Sequence, residues 1–231
     1  MADRTRPEEG GTKLMNEHNP VREGTDAKAR EWLRILGMER RRFFPLDLSA
    51  SALLVIDMQD FFLDGSSHGY IRDSKMIIPN VQSIIQAFRK EDMPVIFSWH
   101  GHKEGEDLGM EGKWWSDPLM ETDPLAKISD EMAVEDSDIV LQKARYSLFH
   151  GTGLYRILRE KQVEKVVITG VATHICCETT VRTAFMLDFE VYSVIDGSAT
   201  WDEELHLASL RTTSDAFSVP VTTKEVLETL G

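Results

Sequence analysis

Three side chains along this sequence could carry a hydrolysis between them. Asp57 closes the apolar run "ALLVID" (52–57), and Lys143 closes "DIVLQK" (138–143). Cys176 follows "KVVITG" (165–170), where the pattern turns helical. A carboxylate can move a proton, a thiol can become a nucleophile, and an ammonium can balance charge between them. A free thiol titrates near about 8.5, so little of it is thiolate at neutral pH. A helix start and a nearby lysine both favour the thiolate. Thr173 has the type and spacing of an N-cap, which puts Cys176 in a first helical turn whose N–H groups can hold an oxyanion. Each residue also has a plainer use: an acid caps a turn, a lysine sits in solvent, a cysteine packs. Singly those uses are the commoner ones; three strand ends of one sheet together favour chemistry.

A second group surrounds these three as candidates for the substrate pocket. Gln59 and Phe62 follow Asp57, with Phe62 equally suited to a core. Arg145 and Tyr146 follow Lys143; Arg145 fits a substrate carboxylate or a structural ion pair. Trp114 and Trp115 lie in the long segment 101–137, with Trp115 taken as the pocket candidate, and could close over a ligand or serve a subunit contact. His100 and His102 follow the run "PVIFSWH" (94–100), and His100 reads as polar lining. His206 reads as a hydrogen-bonded core or interface histidine, and Asp196 as an organiser of loops.

The elements that must position these residues alternate. Strands are expected at 52–57, 94–100, 138–143, 165–170 and 190–196, with a short one near 219–222. Between them run helical faces: Ile77, Ile78, Val81, Ile84, Ile85 and Phe88; Leu154, Ile157 and Leu158; Cys177, Val181, Ala184 and Phe185. Thr200 and Glu203 have the spacing of a capping box before "DEELHLASLRTTSD". This rhythm specifies a three-layer α/β/α Rossmann-like sandwich around a mainly parallel six-stranded sheet. Ligands of such sheets bind beyond the carboxyl ends of the strands, where Asp57, Lys143 and Cys176 fall. Residues 1–48 read as an N-terminal extension: a polar, flexible tail over 1–26, then a short helix over 27–37 with Ala29, Trp32, Leu33 and Leu36 on one face. Residues 49–231 are expected to form the hydrolase domain.

Charge narrows the partners. The net charge is −13, with +2 in residues 1–42 and −15 in the rest. Such a body repels nucleic acid and anionic membrane, and the run at 39–42 is too short to reverse that. No stretch approaches the roughly 20 apolar residues of a membrane span. Cys176 and Cys177 are the only cysteines. Neighbours seldom bridge, so free thiols and a cytoplasmic setting are expected.

The motifs "LLVIDMQDFF" (53–62), "QKARYSLFHGTGL" (142–154) and "VVITGVATHICCETTVRTAFMLDFEVYSVIDGSAT" (166–200) resemble the isochorismatase-like cysteine hydrolases. These include nicotinamidases, N-carbamoylsarcosine amidases and ureidoacrylate amidohydrolases. The resemblance runs over about 52–216. It implies that Asp57, Lys143 and Cys176 are the catalytic set. It also implies a cis peptide between Val171 and Ala172, with the N–H groups of Ala172 and Cys176 as the oxyanion hole. Cys177 stands where the family usually has Val, which implies packing.

The implied reaction is cleavage of a C–N bond in a small amide, ureido or carbamoyl compound through a thioester. True isochorismatases, which cleave a vinyl ether, typically have Gly at the position of Cys176. A vinyl-ether hydrolase and a catalytically silent binding protein on the same fold are the alternatives. Nicotinamidases bind a metal through an Asp-x-His pattern that "SWHGHKEGED" lacks. No metal or cofactor is therefore expected, although His100, His102 and Asp107 could form a site. The resemblance also implies a homodimer or homotetramer.

Overall fold

A computed structural model describes residues 25–37 and 45–231. The expected tail over 1–26, apart from its last two residues, and the charged run at 39–42 lie outside the described residues.

Six strands form one sheet: β1 (Ser51–Ile56), β2 (Val95–His100), β3 (Ile139–Lys143), β4 (Lys165–Val171), β5 (Glu190–Ala199) and β6 (Val219–Val221). Their order is β3-β2-β1-β4-β5-β6, and every pairing is parallel. The central strands β1 and β4 are buried along their whole length. That is why they read as largely apolar runs rather than alternating ones.

Helices cover both faces of the sheet. One face packs Leu53, Val55 and Val167 against Ile78, Val81, Ile85 and Phe88 of α3 (Ser74–Lys90) and Val226 of α8 (Thr223–Leu230). The opposite face packs Leu54, Ile56 and Ile168 against Leu158 of α5 (Leu154–Glu160) and Val181 and Ala184 of α6 (Glu178–Met186). α1 (Thr25–Ile35) and α7 (Glu203–Ala216) enclose a third, smaller cluster of Ala29, Trp32, Ile195 and Leu210. Two four-residue helices also lie among the described residues, α2 (Asp60–Leu63) and α4 (Glu111–Trp114). Among the described residues, no helix is long and apolar enough to cross a membrane.

Three local expectations change. The Thr200/Glu203 capping box does not form: Asp202 adopts extended backbone and its carboxylate accepts from the Leu205 N–H at 2.8 Å. Thr200 bonds His174 instead, and Glu203 turns to α1. A capping box does exist at Thr222 and Glu225, opening α8. Phe185 does not share the buried face of Val181 and Ala184; it is 45% exposed and meets Phe217 edge-on. β5 runs past Asp196 to Ala199, and Asp196 fastens the start of α8 by accepting from Thr223 N–H and Oγ1 at 2.7 and 2.9 Å.

Candidate active site

Asp57 leaves β1 in the left-handed region, at φ +49°. Asp tolerates that region better than most residues, and here it turns the carboxylate into the crevice at the strand end. Close packing of β1 on β4 makes the turn possible: Ile56 pairs with Gly170, where a Cβ would collide with the Ile56 carbonyl. Lys143 is the last residue of β3 and pairs with His100, the last of β2. Cys176 lies in a wide turn, Thr173–Cys177, between β4 and α6. Its width shows in the Cys177 N–H, which reaches back five residues to the Ala172 carbonyl at 3.3 Å. The peptide between Val171 and Ala172 is cis.

Thr173 does not cap this turn. Its Oγ1 lies 2.9 Å from Nδ1 of His206, because the turn packs against α7. Cys177 is buried in the apolar cluster with Leu54, Ile168 and Val181.

The three chemical side chains meet. Lys143 Nζ lies 2.7 Å from Asp57 Oδ2 and donates to Cys176 Sγ at 3.3 Å. Asp57 and Lys143 are fully enclosed, and Cys176 is 5% exposed. Burial works against the Lys143 ammonium, but the Asp57 carboxylate and the contact with Cys176 outweigh it, so its pKa is raised. Burial pushes the Cys176 thiol up as well, with Lys143 opposing and Asp57 reinforcing the rise. The resting arrangement is thus an Asp57–Lys143 ion pair beside a neutral thiol. Desolvation thus opposes the thiolate that the neighbouring lysine favours.

Ser98 on β2, absent from the sequence-based candidates, completes the arrangement. It is fully buried, donates from Oγ to Asp57 Oδ1 at 2.6 Å and accepts from the Asp57 N–H at 3.2 Å. Its sequence signal is faint, a lone hydroxyl between Phe97 and Trp99 on a largely buried strand.

The pocket candidates separate. Gln59 spends its side chain on backbone: Nε2 donates to His100 O at 2.9 Å and Ala126 O at 2.5 Å, and Oε1 accepts from His100 N. It therefore builds the wall rather than lining it. Phe62 packs in the core with Leu63 and Ile71. Arg145 bonds the carbonyls of Ala144 and Asp107, holding the 101–137 segment down. Trp115 is half-buried and donates from Nε1 to Tyr146 Oη at 2.8 Å, while Trp114 is 74% exposed. Burial raises the Tyr146 phenol, with Trp115 opposing.

His100, His102 and Glu111 form a second cluster. Their ligand-type atoms all lie within 4.8 Å of one another. Glu111 Oε2 is 3.2 Å from His100 Nε2 and 3.4 Å from His102 Nε2. Asp107 takes no part; Glu111, the first residue of α4, fills the place expected of it. Burial and then the charge of Lys143 lower the His100 pKa, leaving a neutral imidazole. Burial works to raise Glu111, but the hydrogen bond from His100 and the surrounding positive charge outweigh it, so the carboxylate is ionised. His100 Nδ1, His102 Nδ1 and Glu111 Oε1 are buried without a hydrogen-bond partner. Two imidazoles and a carboxylate with spare buried lone pairs fit a borderline divalent ion such as Zn²⁺.

The sequence model of the isochorismatase domain matches residues 51–225. The chain is 37% identical to nicotinamidase 3 of Arabidopsis thaliana, over 73% of this chain and 82% of that one. It is 31% identical to enterobactin synthase component B of Escherichia coli K12, over 77% of this chain and 62% of that one. A crystal structure of a cysteine hydrolase from Pseudomonas syringae superposes with a TM-score of 0.77 at 26% identity, covering 81% of this chain and 95% of that one.

Proposed function

Because the chain belongs to the isochorismatase family of hydrolases, we propose that it is a cysteine amidohydrolase cleaving the C–N bond of a small amide, ureido or carbamoyl compound. One observation carries this reading: Lys143 bridges Asp57 and Cys176 at 2.7 and 3.3 Å, with all three side chains buried beyond the strand ends. Substrate arrival brings the carbonyl carbon to Cys176 Sγ. As the C–S bond forms, the thiol proton passes to Asp57, and Lys143 holds the charge balance. The oxyanion is held by the N–H groups of Ala172 and Cys176. Asp57 returns the proton to the leaving nitrogen, and ammonia or an amine departs. Water, deprotonated by Asp57, then attacks the thioester; the acid leaves and the thiol recovers its proton. Ser98 keeps the Asp57 carboxylate aimed throughout.

Beside this centre, His100, His102 and Glu111 would hold a divalent metal. The ion would supply a Lewis-acid anchor for an electron pair of the substrate. The observation favouring this is the set of buried, unpartnered nitrogen and oxygen atoms that the cluster leaves.

The vinyl-ether alternative is disfavoured by the thiol itself, which ether cleavage does not use. A screen of small amides and ureido acids for ammonia release, run beside isochorismate and repeated with Cys176→Ala, tests the reading. Amide turnover that disappears in the variant supports it. Turnover of isochorismate alone, or amide turnover undiminished in Cys176→Ala, overturns it.

A further inference from the structure

Cys176 sits in a turn whose outer side is held from an unexpected direction. α1 precedes the residues matched by the family model, which begin at 51. The helix nevertheless packs on the sheet: Ala29 is fully buried and Trp32 is 8% exposed. Glu203, in the first turn of α7, receives both Lys28 Nζ at 2.6 Å and Trp32 Nε1–H at 2.9 Å. One turn further along α7, His206 lies against the Trp32 ring, centroids 4.5 Å apart. The other side of the imidazole reaches Thr173 Oγ1 at 2.9 Å. Ser209, three residues on, donates to the Thr173 carbonyl at 3.3 Å. Thr173 opens the turn that ends with Cys176 and Cys177.

We propose that α1 is a positioning element for the nucleophile: Trp32 and His206 clamp Thr173, and through it hold the turn that keeps Cys176 buried beside Lys143. Neither residue touches the reacting atoms. His206 is 4% exposed, and burial lowers its pKa to about 4, with the Ile195 backbone and Glu203 opposing. The imidazole is therefore neutral at ordinary pH and can share one hydrogen bond with the Thr173 hydroxyl without adding charge near the thiol. The contact also explains why an apolar face on the N-terminal extension is used at all. It covers α7 where α7 meets the catalytic turn, not a remote part of the sheet.

The inference rests on Cys176 being the nucleophile, and thiol alkylation tests it separately from amide turnover. Loosening the turn exposes Cys176 Sγ and relieves the desolvation that keeps the thiol protonated, so its reactivity rises even as turnover falls. Iodoacetamide labelling of Cys176, followed by peptide mapping to distinguish Cys177, is measured against pH in the full chain. Trp32→Ala and His206→Leu are expected to label at least about fivefold faster than wild type near neutral pH, with the midpoint moved toward that of a free thiol. His206→Asn keeps a polar atom near the position of Nδ1 and should stay within about twofold of wild type. Val226→Ala, a core truncation under α8, controls for general destabilisation and should not accelerate labelling. Labelling of folded Trp32→Ala and His206→Leu at or below the wild-type rate overturns the inference. Acceleration in Val226→Ala equal to theirs overturns it too. Failure of the wild type to turn over amides would instead sink the functional reading and leave the labelling ratios standing.

Discussion

Lys143 and Asp57 form an ion pair at 2.7 Å in which neither side chain is exposed. Two charges so deep in a protein are costly to desolvate, and each is tolerable only because the other is present. Lys143→Met should therefore strand the Asp57 carboxylate. The expected loss is about 3–5 kcal/mol of stability, together with turnover. The double variant Asp57→Leu/Lys143→Met removes both charges and should regain most of that stability while remaining inactive. Urea midpoints of the three proteins check this. A single variant as stable as wild type would mean that the pair is not tightly coupled.

Ser98 makes two hydrogen bonds to Asp57, one to the carboxylate at 2.6 Å and one from the backbone N–H at 3.2 Å. A hydrogen bond to a charged group contributes about 1.5–3 kcal/mol, or about 10- to 100-fold in rate if it is needed in the transition state. Ser98→Ala should lower kcat in that range with little change in KM, since the hydroxyl faces Asp57 rather than the substrate. Ser98→Thr, which keeps the donor, should restore part of the loss. A variant that raises KM and spares kcat would place Ser98 in substrate binding instead.

The sheet was legible because its central strands β1 and β4 are buried on both faces, so they appear as largely apolar runs ending at residues of another kind. Asp57, Lys143 and Cys176 stand out for the same reason: each follows an apolar run at the strand end where parallel sheets bind ligands. Residues whose role depends on long-range approach were harder to see. Ser98 is a single hydroxyl in mid-strand, and its meaning comes only from the left-handed turn at Asp57. Glu111 reaches His100 and His102 by a loop path with no periodicity to follow, so the nearer acid, Asp107, was the natural candidate. The apolar face of α1 announced that the helix docks, but Trp32 gave no hint that it meets His206. A lysine near Cys176 can be read from the sequence, whereas the depth of burial that pushes the thiol pKa up cannot.

The His100–His102–Glu111 cluster makes a binding prediction that needs no substrate. Titration with Zn²⁺ in a calorimeter should show one equivalent bound and a higher melting temperature on loading. His102→Ala and Glu111→Gln should each weaken binding by at least about tenfold, since even outer partners of metal ligands commonly matter that much. Asp107→Asn should leave it unchanged, because Asp107 stands outside the cluster. Zn²⁺ uptake that survives the loss of both His102 and Glu111 would show that the ion binds elsewhere.

His206 also sets a pH dependence for folding. Its pKa is about 4 in the folded protein, below the ordinary 6.5, because burial penalises the charged imidazole. Thr173, Trp32 and Glu203 face it, and of these only Glu203 carries a charge that favours protonation. The unfolded chain therefore binds a proton more readily than the folded one between those two values. Stability from this group is full above about pH 6.5 and is lost as the pH falls toward 4, by up to about 3 kcal/mol. His206→Asn has no imidazole to titrate. It should lower stability by a constant amount near neutral pH but flatten the decline across this window. Urea unfolding of wild type and variant at several pH values separates the offset from the slope. Equal slopes in the two proteins would mean that the imidazole accepts its proton as easily folded as unfolded, and that Trp32 and α7 do not exclude water from it.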